Sequence, residues 1–274
     1  MPSSRPVRGV LLDLDGVLYR GDTAVEGAAD FLARLAAAGI ALVAVTNHSG
    51  RTPQQVASKL AGLGLALTAD AIVTSACVTG RYVAALGVSS ARVVGTPALE
   101  FALAQAGVAI DPESRQAVVV GYAPRAGFSE LAAAASVLHD GAAFIATNAD
   151  GAVPHGDGIW PDAGPTVAFL TAASGRQPTV VGKPNRWLFE EGLRRLDLAA
   201  MDAVMVGDTL ATDIRGGNAA GCRTLWFAGG RAPTPVLGAA EPAERPRWTA
   251  ANLDEAAQVL VNAADENGRT SRSS

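Results

Sequence analysis

The stretch Val10–Tyr19, VLLDLDGVLY, decides how the rest of the chain is read. An apolar run ends in two carboxylates, Asp13 and Asp15, and Gly16 follows at once. Val10, Leu11 and Leu12 predict a strand covered on both faces, as in a parallel sheet. A strand that ends in acid and breaks at a glycine delivers its acids to the carboxyl edge of the sheet. In open α/β sheets that edge is where ligands bind. In strand geometry Asp13 and Asp15 share one side of the chain. Two carboxylates so close repel unless a cation sits near them. Magnesium fits, since it is bound through one or two carboxylates plus substrate phosphate.

Outward from this stretch, short apolar runs alternate with helical patterns. Gly27 to Ala38 predicts a helix with Phe31, Leu32 and Leu35 on its apolar face, closed by Gly39. Ile40 to Val45 predicts a second buried strand, ending in Thr46 and Asn47. Pro53 to Leu63 predicts a helix, and Ile72–Val73 a strand before a helix capped by Ser75. Further strands are expected at 92–95, 117–121, 143–146, 179–181, 203–206 and 224–227, with helices between them, one of them capped by Ser129. The alternation is the signature of βαβ units. Residues 148–165 predict a connection longer than usual, so functional or flexible. The tail from Asp265 to Ser274 is polar and is expected to be disordered.

The 274 residues are 49% hydrophobic with a net charge of −4, enough for one large domain or a core with a smaller insertion. No basic patch supports nucleic-acid binding. Cys77 and Cys222 lie far apart without CxxC spacing and predict small buried residues rather than a disulfide or zinc site. No run reaches membrane length and the start has no long apolar segment, so a cytoplasmic protein without membrane contact is expected. Trp160, Trp187, Trp226 and Trp248 are expected in the core or at a domain interface.

Four predicted strand ends carry polar residues: Asp13 with Asp15, Thr46 with Asn47, Lys183, and Asp208 with Asp213. Each alone has a plain reading as a turn or a helix cap. A calcium loop is disfavoured, because Leu18 and Tyr19 fall where oxygen ligands belong. Lys183 is followed by Pro184 rather than Ser or Thr, so it is not a P-loop lysine. No GxGxxG follows the first strand, which removes a nicotinamide-binding reading.

In this order, each at the end of an apolar strand, the four resemble the haloacid dehalogenase superfamily of phosphohydrolases. Asp13-Leu14-Asp15-Gly16-Val17 matches its first motif, Thr46 its second, Lys183 its third, and Gly207, Asp208, Thr212 and Asp213 its fourth. TNHS at Thr46, VGKPN at Val181 and GDTLATDI at Gly207 are similar to subfamily IIA. Two positions depart from that branch: His48 stands where it commonly has a second Asn, and Thr147 to Asp150 reads TNAD where it has TNPD. Both bear on substrate rather than on reaction.

The resemblance implies an α/β, Rossmann-like parallel-sheet core with an inserted α/β cap. The expected division is core at 1–80, cap at 81–180, core again at 181–264 and tail at 265–274. It implies a Mg²⁺-dependent phosphomonoester hydrolase. Asp13 is then nucleophile and metal ligand, and Asp208 a second ligand. Asp15 is acid and base, lending the metal its backbone oxygen. Thr46 and Lys183 hold the phosphoryl group. Asp213 orients either Lys183 or the metal's water shell. Asn47, His48, Asn148 and Asp150 are candidates for substrate contact, while His155 and Asp157 read more simply as solvated loop residues. An acid at Asp15 points to ester hydrolysis, with a phosphomutase or a phosphate-binding regulatory protein as alternatives. The expected partner is a small phosphorylated metabolite. Caps of this branch often dimerise, which leaves a homodimer open.

Overall fold

The computed structural model describes residues 5–155, 158–229 and 237–265. In chain order these begin with β1 (Gly9–Leu12), the hairpin β2–β3 (Tyr19–Arg20 and Thr23–Ala24), α1 (Ala28–Ala37), β4 (Ala41–Thr46) and α2 (Pro53–Gly62). Next come β5 (Ile72–Thr74), α3 (Ser75–Ala85), β6 (Ser90–Val94), α4 (Pro97–Gln105), β7 (Ala109–Ile110), β8 (Ala117–Val120) and α5 (Phe128–His139). Then follow β9 (Ala143–Ala146), the hairpin β10–β11 (Ala152–His155 and Gly158–Pro161), α6 (Ala163–Ser174), β12 (Thr179–Val180) and α7 (Arg186–Leu196). The chain closes with β13 (Ala203–Gly207), α8 (Arg215–Ala219), β14 (Arg223–Phe227), β15 (Trp248–Ala250) and α9 (Leu253–Asp265). Two compact units result: Met1–Val45 with Ala57–Ile72 and Phe189–Ser274, and Thr46–Val56 with Val73–Leu188.

A six-stranded sheet has the order β15-β14-β13-β1-β4-β5. β1 pairs in parallel with β13 on one side and β4 on the other. All four residues of β1 are buried, which an internal parallel strand with both faces covered requires. Helix α1 buries Ala28, Phe31 and Leu35, and α9 buries Leu253, Ala256, Ala257, Leu260 and Ala263, each one apolar stripe at helical spacing. Arg34 joins these two helices by bonding Asp254 and Gln258.

The second unit has its own parallel sheet, β12-β9-β8-β6-β7. Val118 and Val120 of β8 face a core with Val137 and Leu138 of α5 and Val167 and Leu170 of α6. Ala117 and Val119 alternate with them and are also buried, so the opposite face of that strand is covered too.

Four local expectations are corrected. The connection at 148–165 holds the antiparallel hairpin β10–β11 and the first turn of α6. Ser129 is not the cap of α5, whose N-cap is Gly127, with extended backbone. Ser75 lies inside α3; Thr74 caps that helix by accepting the Cys77 N–H at 3.3 Å. Trp160 is 44% exposed on β11 rather than in a core. Trp226 is 1% exposed, as expected, and Cys222 is buried, its thiol pushed up to about 12 by desolvation. Asp157, and the tail beyond Asp265, lie outside the described residues. Among the described residues no helix is long and apolar enough to cross a membrane.

Candidate active site

Three of the expected acids meet in the first unit. Asp13 follows β1, and its backbone N–H extends the ladder to Val206 O of β13 at 2.9 Å. Asp208 follows β13, so two parallel neighbours end in acid at one sheet edge. The chain then makes one wide turn over Leu210–Ile214, with the Ile214 N–H reaching back five residues to Thr209 O at 3.4 Å. Such widened turns cluster at functional sites. This one folds Asp213 back under the strand end, where its Oδ2 accepts the Thr209 N–H at 3.1 Å. Asp13, Asp208 and Asp213 each offer an oxygen within 4.8 Å of the others. Asp13 and Asp213 are buried.

Two glycines make room for this. Gly16 has φ +87, and a Cβ there would collide with the Asp208 carboxylate, so any side chain meets both strain and a clash. A Cβ on Gly207 would collide with the Asp213 side chain. Trp226, buried on β14, donates its indole N–H to Asp208 O at 2.8 Å and fixes the loop from beneath. Thr209 Oγ1 donates to Asp208 Oδ1 at 3.0 Å.

Three carboxylates packed together oppose one another until a cation joins them. An all-oxygen donor set suits a hard divalent ion such as Mg²⁺. The residues therefore fit the expected metal, with Asp213 drawn into the group as well. Among the described residues the Asp15 side chain is not in it. Gly16 N–H donates to Tyr19 O at 2.7 Å, closing the turn that leads Asp15 away from the strand.

The other expected residues lie in the second unit. Lys183 is 4% exposed. Asn47 binds its backbone twice: Asn47 Oδ1 accepts the Lys183 N–H at 2.7 Å, and Asn47 Nδ2 donates to Lys183 O at 3.2 Å. Asn47 Nδ2 also donates to Asp150 Oδ2 at 3.0 Å. Asn148 Nδ2 and Ser75 Oγ both donate to Asn47 O, at 2.7 and 2.6 Å. Thr46 Oγ1 accepts the His48 N–H at 3.1 Å. The His48 ring lies 6.1 Å from that of Tyr122, centroid to centroid. Thus Asn47, Asn148, Asp150 and Lys183 are brought together, and Asn47 is their hub.

Comparison with known proteins decides the family. Residues 10–109 match the family described as haloacid dehalogenase-like hydrolase, and 180–256 match a second HAD-hydrolase-like family. The chain is 35% identical to the 5'-nucleotidase YutF of Bacillus subtilis over 219 residues, 80% of this chain and 86% of that one. It is 35% identical to the ribonucleotide monophosphatase NagD of Escherichia coli over 224 residues, 82% of this chain and 88% of that one.

The chain belongs to the haloacid dehalogenase-like hydrolases.

Among solved structures of these hydrolases, NagD superposes with a TM-score of 0.85 at 33% identity, covering 92% of this chain and 98% of its own. The glycerol phosphate phosphatase Rv1692 of Mycobacterium tuberculosis, solved with magnesium, superposes at 0.84 and 33% identity, over 94% of this chain and 79% of its own. Within the family the relatives place the chain in subfamily IIA.

Three residues of this hydrolase escaped the sequence reading. The sequence points Trp226 to the core or a domain interface, not to the Asp208 loop. Ser75, which looks like a helix cap, instead binds Asn47 O. Asp162, in the Gly/Pro-rich stretch, is 4% exposed. A Trp on the neighbouring strand and an acid among glycines carry no local signal of such contacts.

Proposed function

We propose that the chain is a Mg²⁺-dependent phosphomonoester hydrolase acting on a small phosphorylated metabolite through an aspartyl-phosphate on Asp13. The observation that carries this is the convergence of Asp13, Asp208 and Asp213 at the end of β1 and β13. The names of the relatives, which are phosphatases of nucleotides and of glycerol phosphate, support the class.

A phosphomonoester is doubly anionic, and a carboxylate approaching it is repelled. Held by Asp13 and Asp208 with Asp213, Mg²⁺ supplies the positive charge that offsets this repulsion. The Asp13 carboxylate attacks phosphorus, and the bond from phosphorus to the leaving oxygen breaks. Asp15 gives that oxygen its proton. In the second half Asp15 takes a proton from water, the water oxygen bonds to phosphorus, and the Asp13–phosphorus bond breaks to release phosphate. Lys183 and Thr46 hold the phosphoryl oxygens. Asn47, by fixing the Lys183 backbone from both sides, keeps that lysine in place. The cap role is assigned to residues 81–180, with Asn148 and Asp150 reaching the leaving group.

The test is phosphate release from 4-nitrophenyl phosphate. Wild type with Mg²⁺ should turn over; EDTA or Asp13→Asn should stop it, with acid–base help from Asp15 worth roughly 10²–10⁴-fold. Turnover that survives both would sink the proposal.

A further inference from the structure

Lys59 and Lys183 are the two lysines of a chain whose other permanent cations are arginines. Lys183 serves the site described above; that chemistry does not use Lys59. Lys59 sits in the last turn of α2 and reaches the β2–β3 hairpin of the same unit. Its Nζ stands 4.1 Å from the centre of the Tyr19 ring and 3.6 Å from Asp22 Oδ1. Tyr19 is buried, and the Lys59 side chain is only 17% exposed although it ends in a charge. A cation over an aromatic face is held by the ring quadrupole, more strongly where water is excluded. Asp22 is almost fully exposed, and so solvated an ion pair holds little. The grip on the hairpin is therefore chiefly the ammonium on the ring.

Tyr19 is also where the turn that carries Asp15 closes. Gly16 N–H donates to Tyr19 O at 2.7 Å, and the Leu18 and Tyr19 N–H groups reach back to Leu14 O at 2.9 and 3.3 Å. Asp15 and Tyr19 face each other in an isolated β-bridge. Asp15 thus lies on a closed turn with two ends. One is buried Leu14, next to β1, and the other is the residue that Lys59 covers. A shift of about 1 Å in a catalytic group costs on the order of 10²-fold in rate. Arg20 gives the hairpin a second hold, donating to Gly229 O at 3.1 Å, but that bond is exposed to water.

We propose that Lys59 is a positioning residue. By pinning the Tyr19 ring it holds the hairpin, and with it the turn that carries Asp15, where Asp15 can protonate the leaving oxygen. The inference rests on the acid role of Asp15 in the phosphatase reading and adds a residue that acts through Tyr19. Its consequence is selective. Loosening Asp15 slows esters whose leaving group needs a proton and spares those whose leaving group departs as a stable anion. A general loss of folded protein slows both alike.

The experiment compares kcat/KM of the full chain with Mg²⁺ on phenyl phosphate and on 4-nitrophenyl phosphate. The two esters differ by one nitro group, and only phenolate needs the proton. Lys59→Met keeps the stem over the ring and drops the charge. It should lower the ratio of phenyl to 4-nitrophenyl ester by about tenfold, a part of the acid's own 10²–10⁴-fold, since Arg20 still holds the hairpin. Lys59→Arg returns a cation to the ring and should keep the ratio within about twofold of wild type. Asp15→Asn should lower the ratio at least as far as Lys59→Met. A Lys59→Met ratio equal to wild type, including one where both rates fall in parallel, overturns the proposal. So does a Lys59→Arg ratio as low as that of Lys59→Met. If Lys59→Met does not fold, Lys59→Gln decides: a lower ratio supports the role and an unchanged one overturns it. A wild type inert on both esters would instead take down the phosphatase reading, and Asp15→Asn with an unchanged ratio would take down the acid role of Asp15. Either result removes the basis of this inference as well.

Discussion

Single residues set the terms of this site. Unfolded, Asp162 titrates near 3.8, and folded near 7. Between these values the folded chain holds a proton that the unfolded chain has released. Its contribution to stability is therefore fully present at low pH and is lost as pH rises through about 7. Asp162→Asn should flatten this part of the pH–stability curve. At about pH 8 the variant should be the more stable by an amount on the order of 2–4 kcal/mol. Urea denaturation from about pH 5 to pH 8 measures this; a variant less stable than wild type throughout would mean that Asp162 serves the helix alone. Gly207→Ala makes a second test at this scale, since the added methyl meets Asp213. It should destabilise by about 1–3 kcal/mol and weaken the rise in melting temperature that Mg²⁺ gives wild type. Thermal denaturation with and without Mg²⁺ reads both.

At the scale of elements, β1 was legible because an internal parallel strand has to be apolar on both faces, and VLL followed by acid leaves little else. Its neighbours β4 and β13, and β14 beyond β13, were legible for the same reason. Helix caps were less so. Ser129 looks like a cap, but the chain enters α5 two residues earlier, at Gly127. Ser75 looks like one, and Thr74 does the work. Ser129→Ala should therefore change stability by less than about 0.5 kcal/mol, while Thr74→Ala should cost about 1 kcal/mol. Equilibrium urea denaturation of the two variants distinguishes these assignments. The hairpin β10–β11 was hidden because its described strand β11 is exposed throughout and gives no alternation of apolar and polar residues. Burial of Asp162 was hidden for a related reason: a stretch of Gly, Asp and Pro reads as solvated on its own, yet Asp162 is 4% exposed.

For the whole molecule, the sequence order of the motifs carried the function further than any one of them. Asp13 and Asp208 are almost two hundred residues apart in the chain and end neighbouring strands. That neighbourhood follows from parallel topology, which the βαβ alternation implied. The bond between Asn47 and Lys183 did not follow from it. The spacing of two motifs does not say which side chain will bind which backbone. The central claim is that Asp13 is the group phosphorylated. The most direct measurement uses Asp15→Asn with Mg²⁺ and 4-nitrophenyl phosphate labelled in its phosphoryl group. 4-Nitrophenolate leaves without a proton, so attack by Asp13 should proceed while hydrolysis, which needs Asp15 as base, stalls. The account predicts a burst of about one nitrophenolate per chain and label retained on the peptide that carries Asp13. Label on another residue, or steady phosphate release with no label on the protein, would contradict it.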